Sequence, residues 1–122
     1  MKLNRNFLKL IKISTKAAFD SLKSESPIIC KSLDTNIFVT RIFLNHIRFE
    51  KRRVVSQINE RLLLINLVPQ ILFDGQLIET RQQKNYIFYE IAHLIENIDC
   101  RVIIRKNLSG KYYLFSCFIN KK

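Results

Sequence analysis

CRVIIRKNLSGKYYLFSCFIN, residues 100–120, is the stretch whose reading decides the fold. Two β-rich runs, Cys100 to Lys106 and Lys111 to Asn120, flank the loop Asn107-Leu108-Ser109-Gly110, which ends on a glycine where positive φ is expected. The pattern predicts an antiparallel hairpin. Within its first strand Arg101, Ile103 and Arg105 share one face and Val102 and Ile104 the other, so the period-two alternation sets two guanidinium groups side by side.

Back from the hairpin to Pro69 the sequence keeps this character, with β-branched and aromatic runs separated by turn signals, of which Asp74-Gly75 is the clearest. Residues 76–80 read as a short strand and 81–85 as a polar turn. The segment from Tyr86 to Ile98 fits two patterns. Ile87, Ile91, Leu94, Ile95 and Ile98 keep helical spacing, whereas Tyr86, Phe88, Tyr89 and the isoleucines suit a long strand, the preferred reading.

Ahead of Pro69 the periodicity is helical. Val54, Val55, Ile58, Leu62 and Ile65 line one face of a helix over residues 51–67, which Pro69 ends. Ile37, Phe38 and Val39 have strand character, and Thr40 caps a short helix carrying Ile42, Phe43, His46 and Ile47. Residues 24–34 read as connection, and residues 4–23 as an amphipathic helix with Lys9, Lys12, Lys16 and Lys23 mostly away from its apolar side. Such a helix either packs on the surface of the body or lies as a basic arm on phosphates or lipid. The expected architecture is α+β, N-terminal helices followed by a four-stranded antiparallel β-sheet. A basic helix and connection (1–35) precede the main body (36–122) of one compact domain.

With 122 residues, 48% of them hydrophobic, the chain can bury a core without a metal or disulfide framework. Twenty-one Lys and Arg against ten Asp and Glu leave a formal charge of +11, more than solubility asks of so small a domain. A polyanion is the direct partner, RNA in preference to DNA, because each phosphate neutralised releases condensed counterions. A membrane surface or a place in a larger assembly are the competing uses of that charge. Cys30, Cys100 and Cys117 are odd in number and widely spaced, which argues against both a disulfide scaffold and a zinc site. No unbroken apolar stretch suggests a signal or a membrane span, so a cytoplasmic protein is expected.

Gly-rich phosphate loops, nucleophile elbows and metal-ligand spacings are missing from the sequence, so no cofactor or metal is expected. What remains is His46 on the helix after a strand, the basic residues Arg48, Lys51, Arg52 and Arg53, the strand arginines Arg101 and Arg105, and Ser116 in the last strand. Cleaving RNA through its own 2′-hydroxyl needs a base, an acid and fixed positive charge around the phosphorane. Histidine can take either proton-transfer role, arginine and lysine supply the charge, and a serine hydroxyl can bond a phosphate oxygen. Each residue also has a structural reading. His46 among Ile42, Phe43 and Ile47 could be a core histidine, Lys51 to Arg53 a solvated helix start, Arg101 and Arg105 edge-blunting charges, and Ser116 an ordinary strand serine. Tyr86, Tyr89, Tyr112 and Tyr113 could stack bases or fill cross-strand pairs.

The order of Ile37 to Thr40, Leu44-Asn45-His46-Ile47, Val68-Pro69, Arg101-Val102-Ile103-Ile104-Arg105 and Phe115-Ser116-Cys117-Phe118 resembles the barnase, EndoU, colicin and RelE-like ribonuclease superfamily. The likeness is to its small phage-associated and toxin-type nuclease domains, and it spans roughly residues 36–120. It implies a metal-independent endoribonuclease that works by transphosphorylation. His46 would be acid or base, Lys51 or Arg48 together with Arg105 the phosphate-stabilising cations, and Ser116 a phosphate or ribose contact, while Glu90 could serve as a carboxylate base. The toxin-type likeness would add an immunity or antitoxin protein as partner. The alternative is a non-catalytic RNA-binding or ribonucleoprotein-associated protein, in which Arg48, Arg52, Arg53 and Arg101 only position phosphates.

Overall fold

The computed structural model describes residues 5–47 and 55–121. Helix α1 (Arg5–Ser24) leads into strands β1 (Ile28–Cys30) and β2 (Thr35–Phe38) and then helices α2 (Arg41–Ile47) and α3 (Val55–Asp74). Four strands follow: β3 (Gln76–Gln83), β4 (Tyr86–Ile95), β5 (Ile98–Lys106) and β6 (Tyr112–Ile119). The protein is α+β. Its sheet has six strands in the order β1-β2-β6-β5-β4-β3, and β2 runs parallel to β6 while every other pair is antiparallel.

The expected four-stranded antiparallel sheet is therefore only its C-terminal part. Residues 28–30, read as connection, form the short edge strand β1, in which Ile28 and Cys30 are buried and Ile29 is exposed. Three residues are too few for periodicity to register, and pairing with β2 defines them as a strand. The parallel contact of β2 with β6 joins segments far apart in sequence, which no local pattern reports.

Pro69 lies inside α3 rather than at its end. The missing backbone donor costs the helix a hydrogen bond, but Leu64, Ile65, Val68, Ile71 and Leu72 are all buried on one face, and that burial carries the helix five residues past the proline. The first residues of the expected helix, 51–54, lie outside the described residues. Strand β3 extends to Gln83, leaving Lys84-Asn85 as a two-residue turn in place of the expected turn over 81–85. Of the ambiguous segment Tyr86 to Ile98, residues 86–95 form strand β4 and Ile98 begins β5. Strand β4 is followed by a two-residue turn in which Glu96 (φ 49°) and Asn97 (φ 67°) both adopt left-handed conformations, the backbone that lets a tight hairpin match the twist of its strands. Between β5 and β6 the predicted loop closes through Asn107 N–H to Lys111 C=O (3.0 Å) and Gly110 N–H to Asn107 C=O (2.9 Å), with Gly110 at φ 86°.

Thr40 caps α2 as its sequence suggests, its hydroxyl accepting the Ile42 N–H at 3.3 Å. One core joins helices and sheet: Phe19 and Leu22 of α1, Phe43 and Leu44 of α2 and the buried stripe of α3 meet Ile37, Ile91, Cys100, Val102, Ile104, Leu114 and Cys117. Just past β1, the Ser32 hydroxyl donates to Gly75 C=O (2.7 Å) and accepts from Leu77 N–H (3.2 Å) on the opposite edge strand. The sheet is thus curled until its two edges meet at one end. At that seam a Cβ on Gly75 would press on the Ile71 carbonyl oxygen and stand 2.7 Å from Ile91 Cγ2 and 2.9 Å from Ala92 O. Gly75→Ala is expected to lower stability by about 1–3 kcal/mol, read as a lower urea midpoint, because two of the three obstacles are backbone.

Candidate functional site

Strand alternation gives the sheet a second face. Phe88 and Glu90 of β4, Ile103 of β5, and Ser116 and Phe118 of β6 point opposite to the core residues beside them in sequence, and they floor a cleft of about 390 Å³. Its rim is His46 from α2, Arg61 from α3, and Arg81 and Gln83 from β3. Ile103 is buried here, outside the main core. A β-bulge shapes the floor: Ile104 pairs with Leu114 and Ile103 with Ser116, leaving Phe115 as the extra residue. The bulge turns Phe115 into the same cleft as Ser116, whereas strict alternation would have sent one of them into the core.

Rings continue along this face. Tyr86 meets Phe88 (centroids 6.4 Å apart), Phe88 meets Phe115 (5.2 Å), and the His46 imidazole lies over Phe115 at 4.2 Å. His46 is exposed, so the core-histidine reading fails and the residue stands at the cleft mouth. The Arg105 guanidinium sits 4.2 Å over Tyr86 and 5.5 Å from the Phe115 ring. Its Nε is buried without a hydrogen-bond partner, and no carboxylate pairs with it among the described residues. His46, Ser116 and Arg105 thus come together around one phenylalanine.

Arg101, four residues earlier on the same face of β5, has a different environment. Asp99 holds it bidentately (2.7 Å to each oxygen), Glu90 accepts from its Nη1, and Asn120 donates to Asp99 at 3.0 Å. Asp99 and Glu90 together hold its pKa above the ordinary arginine value, the hydrogen bonds to Asp99 contributing most. Two carboxylates neutralise this guanidinium, which leaves it poorly placed to hold a phosphate. Its effect is on Glu90, whose carboxylate it orients on the cleft floor. Glu79 stands directly across from Glu90 on β3, an unfavourable like-charge pairing that Arg101 offsets on one side and Arg81, 3.9 Å from Glu79, on the other.

Arg48, Lys51, Arg52 and Arg53 lie outside the described residues. Of the four tyrosines, Tyr86 and Tyr113 lie on the cleft face, Tyr113 against Phe38 at 6.1 Å. Tyr89 and Tyr112 pack together against the core (5.7 Å), where burial raises the pKa of Tyr89. His93 alternates to the core side of β4 and does not line the cleft with Glu90. All three cysteines are buried thiols, and Cys117 is pushed up to about 12 by burial, so none is a ready nucleophile.

Arg61, Arg81, Phe88 and Phe115 were missed in the sequence. Arg61 carried a signal, since it falls on the apolar side of α3, one turn before Leu64 and Ile65, where a charge needs a polar destination. Among the described residues no group of three His, Cys, Asp or Glu is arranged to hold a metal ion, and no helix is long and apolar enough to cross a membrane. Comparisons with protein families, curated proteins and solved structures find no match to this chain.

Proposed function

We propose that the cleft binds RNA and cleaves it without a metal ion, by attack of the 2′-hydroxyl on the adjacent phosphate. The observation that supports this reading is the meeting, in one cleft, of an imidazole (His46), a carboxylate (Glu90), a hydroxyl (Ser116) and the guanidinium groups of Arg61 and Arg81, with Arg105 stacked alongside. The reaction needs a base at the 2′-hydroxyl and an acid at the departing oxygen. Glu90, oriented by Arg101, takes the proton from the 2′-hydroxyl. His46, at the mouth, delivers one to the departing 5′-oxygen. Arg105 and the rim arginines hold the phosphate and stabilise the charge that builds on its oxygens, and Ser116 donates to one of them. The 2′-oxygen–phosphorus bond forms as the phosphorus–5′-oxygen bond breaks, so the products are a 2′,3′-cyclic phosphate and a free 5′-hydroxyl.

The test is incubation of the purified protein with RNA in the presence of a chelator. Fragments ending in cyclic phosphate are expected, and their yield should fall as salt rises, because phosphate contacts release counterions. Intact RNA together with salt-sensitive binding would leave the non-catalytic RNA-binding reading in its place. That second reading rests on the same basic cleft and its exposed rings, which can hold a strand without acting on it.

A further inference from the structure

We infer that α1 is an interfacial helix that docks the protein on an anionic phospholipid surface. The helix attaches to the body through Ala18, Phe19 and Leu22, and its opposite side carries Leu10 and Ile13, 61% and 65% exposed, with Ala17 beside them. On a helix of 3.6 residues per turn these three positions fall within about 60° of one another. Lys9, Lys12, Lys16 and Lys23, all exposed, form a second row along the flank of that stripe. Asp20 is the single acidic residue of the helix, and it pairs with Lys16 at 2.9 Å.

Exposed leucine and isoleucine gain nothing from phosphates in water, and a purely nucleic-acid-binding helix has no use for them. Set into the headgroup region of a bilayer, they leave water while the lysine stems reach up to lipid phosphates, the arrangement in which weak apolar insertion and charge attraction reinforce each other. None of the residues lining the cleft comes from α1, so a protein docked through this helix keeps its cleft available, and the inference stands whether or not the cleft takes RNA.

The chain contains no tryptophan, so Ile13→Trp places a lone fluorescent reporter on the stripe. With vesicles of two parts phosphatidylcholine to one part phosphatidylglycerol, its emission is expected to shift to the blue, with partitioning about tenfold or more above that to pure phosphatidylcholine. Adding Leu10→Ser, or replacing Lys9, Lys12 and Lys16 by Gln, should each weaken partitioning severalfold. All these side chains are exposed, and circular dichroism verifies that the fold is kept. An unshifted spectrum with the anionic vesicles overturns the proposal. So does a blue shift produced by RNA alone and not by vesicles, which would assign α1 to nucleic acid instead.

Discussion

Replacing His46 with alanine is expected to reduce RNA cleavage by about 10²- to 10⁴-fold, the usual contribution of a positioned general acid or base. RNA binding should change little, because Arg61, Arg81 and Arg105 remain in and beside the cleft. His46 is exposed at the end of the short helix α2, so the substitution removes an imidazole from the Phe115 ring without opening the core. Single-turnover cleavage and filter binding of the same RNA separate the two effects. Glu90→Gln gives the matching result at the other end of the reaction: the amide keeps the shape and cannot accept the proton, while Asp99 still anchors Arg101. A His46→Ala protein that cuts at the wild-type rate would refute the assignment of the acid.

Arg101→Met is expected to be the most destabilising single change on the cleft face, by about 3 kcal/mol, since removing one partner leaves other charges buried and uncompensated. Arg101 is 14% exposed, Glu90 11% and Asp99 26%, so little water is available to replace the guanidinium. Methionine retains the apolar stem, which confines the loss to the charge. Its deficit in urea unfolding should narrow when Glu90→Gln and Asp99→Asn are added, since neutral partners leave no unpaired charge. A deficit that the neutral partners leave unchanged would mean that packing around Arg101, and not its charge, carries the stability.

Much of the molecule could be read along the chain. The helix α1, the cap at Thr40, the loop at Asn107 to Gly110 and the opposite faces of Arg105 and Ile104 follow from side-chain period and turn chemistry, which act over a few residues. The site was legible in part. His46, Ser116 and Arg105 are chemically distinctive groups next to recognisable elements, whereas Phe115 depends on a bulge, and Arg61 and Arg81 are two basic residues among many. Arg101 and Arg105 share a strand and a face, and the local difference between them is Asp99, two residues before Arg101.

The sequence by itself determined the α+β class, the succession from helical to extended periodicity, the C-terminal hairpin and the excess of positive charge, because each is a property of neighbours in the chain. The tertiary structure alone decided the capture of residues 28–30 as an edge strand and the parallel contact of β2 with β6. It also decided the passage of α3 through Pro69, where burial of a helix face outweighs a lost hydrogen bond, and the separation of the two strand arginines. Asp99, on β5 itself, is the local part of that last separation, and the rest comes from partners on other strands. Glu90 lies across from β5 on β4, and with Asp99 it engages Arg101, while Tyr86 and Phe115 give Arg105 ring faces and no counter-charge.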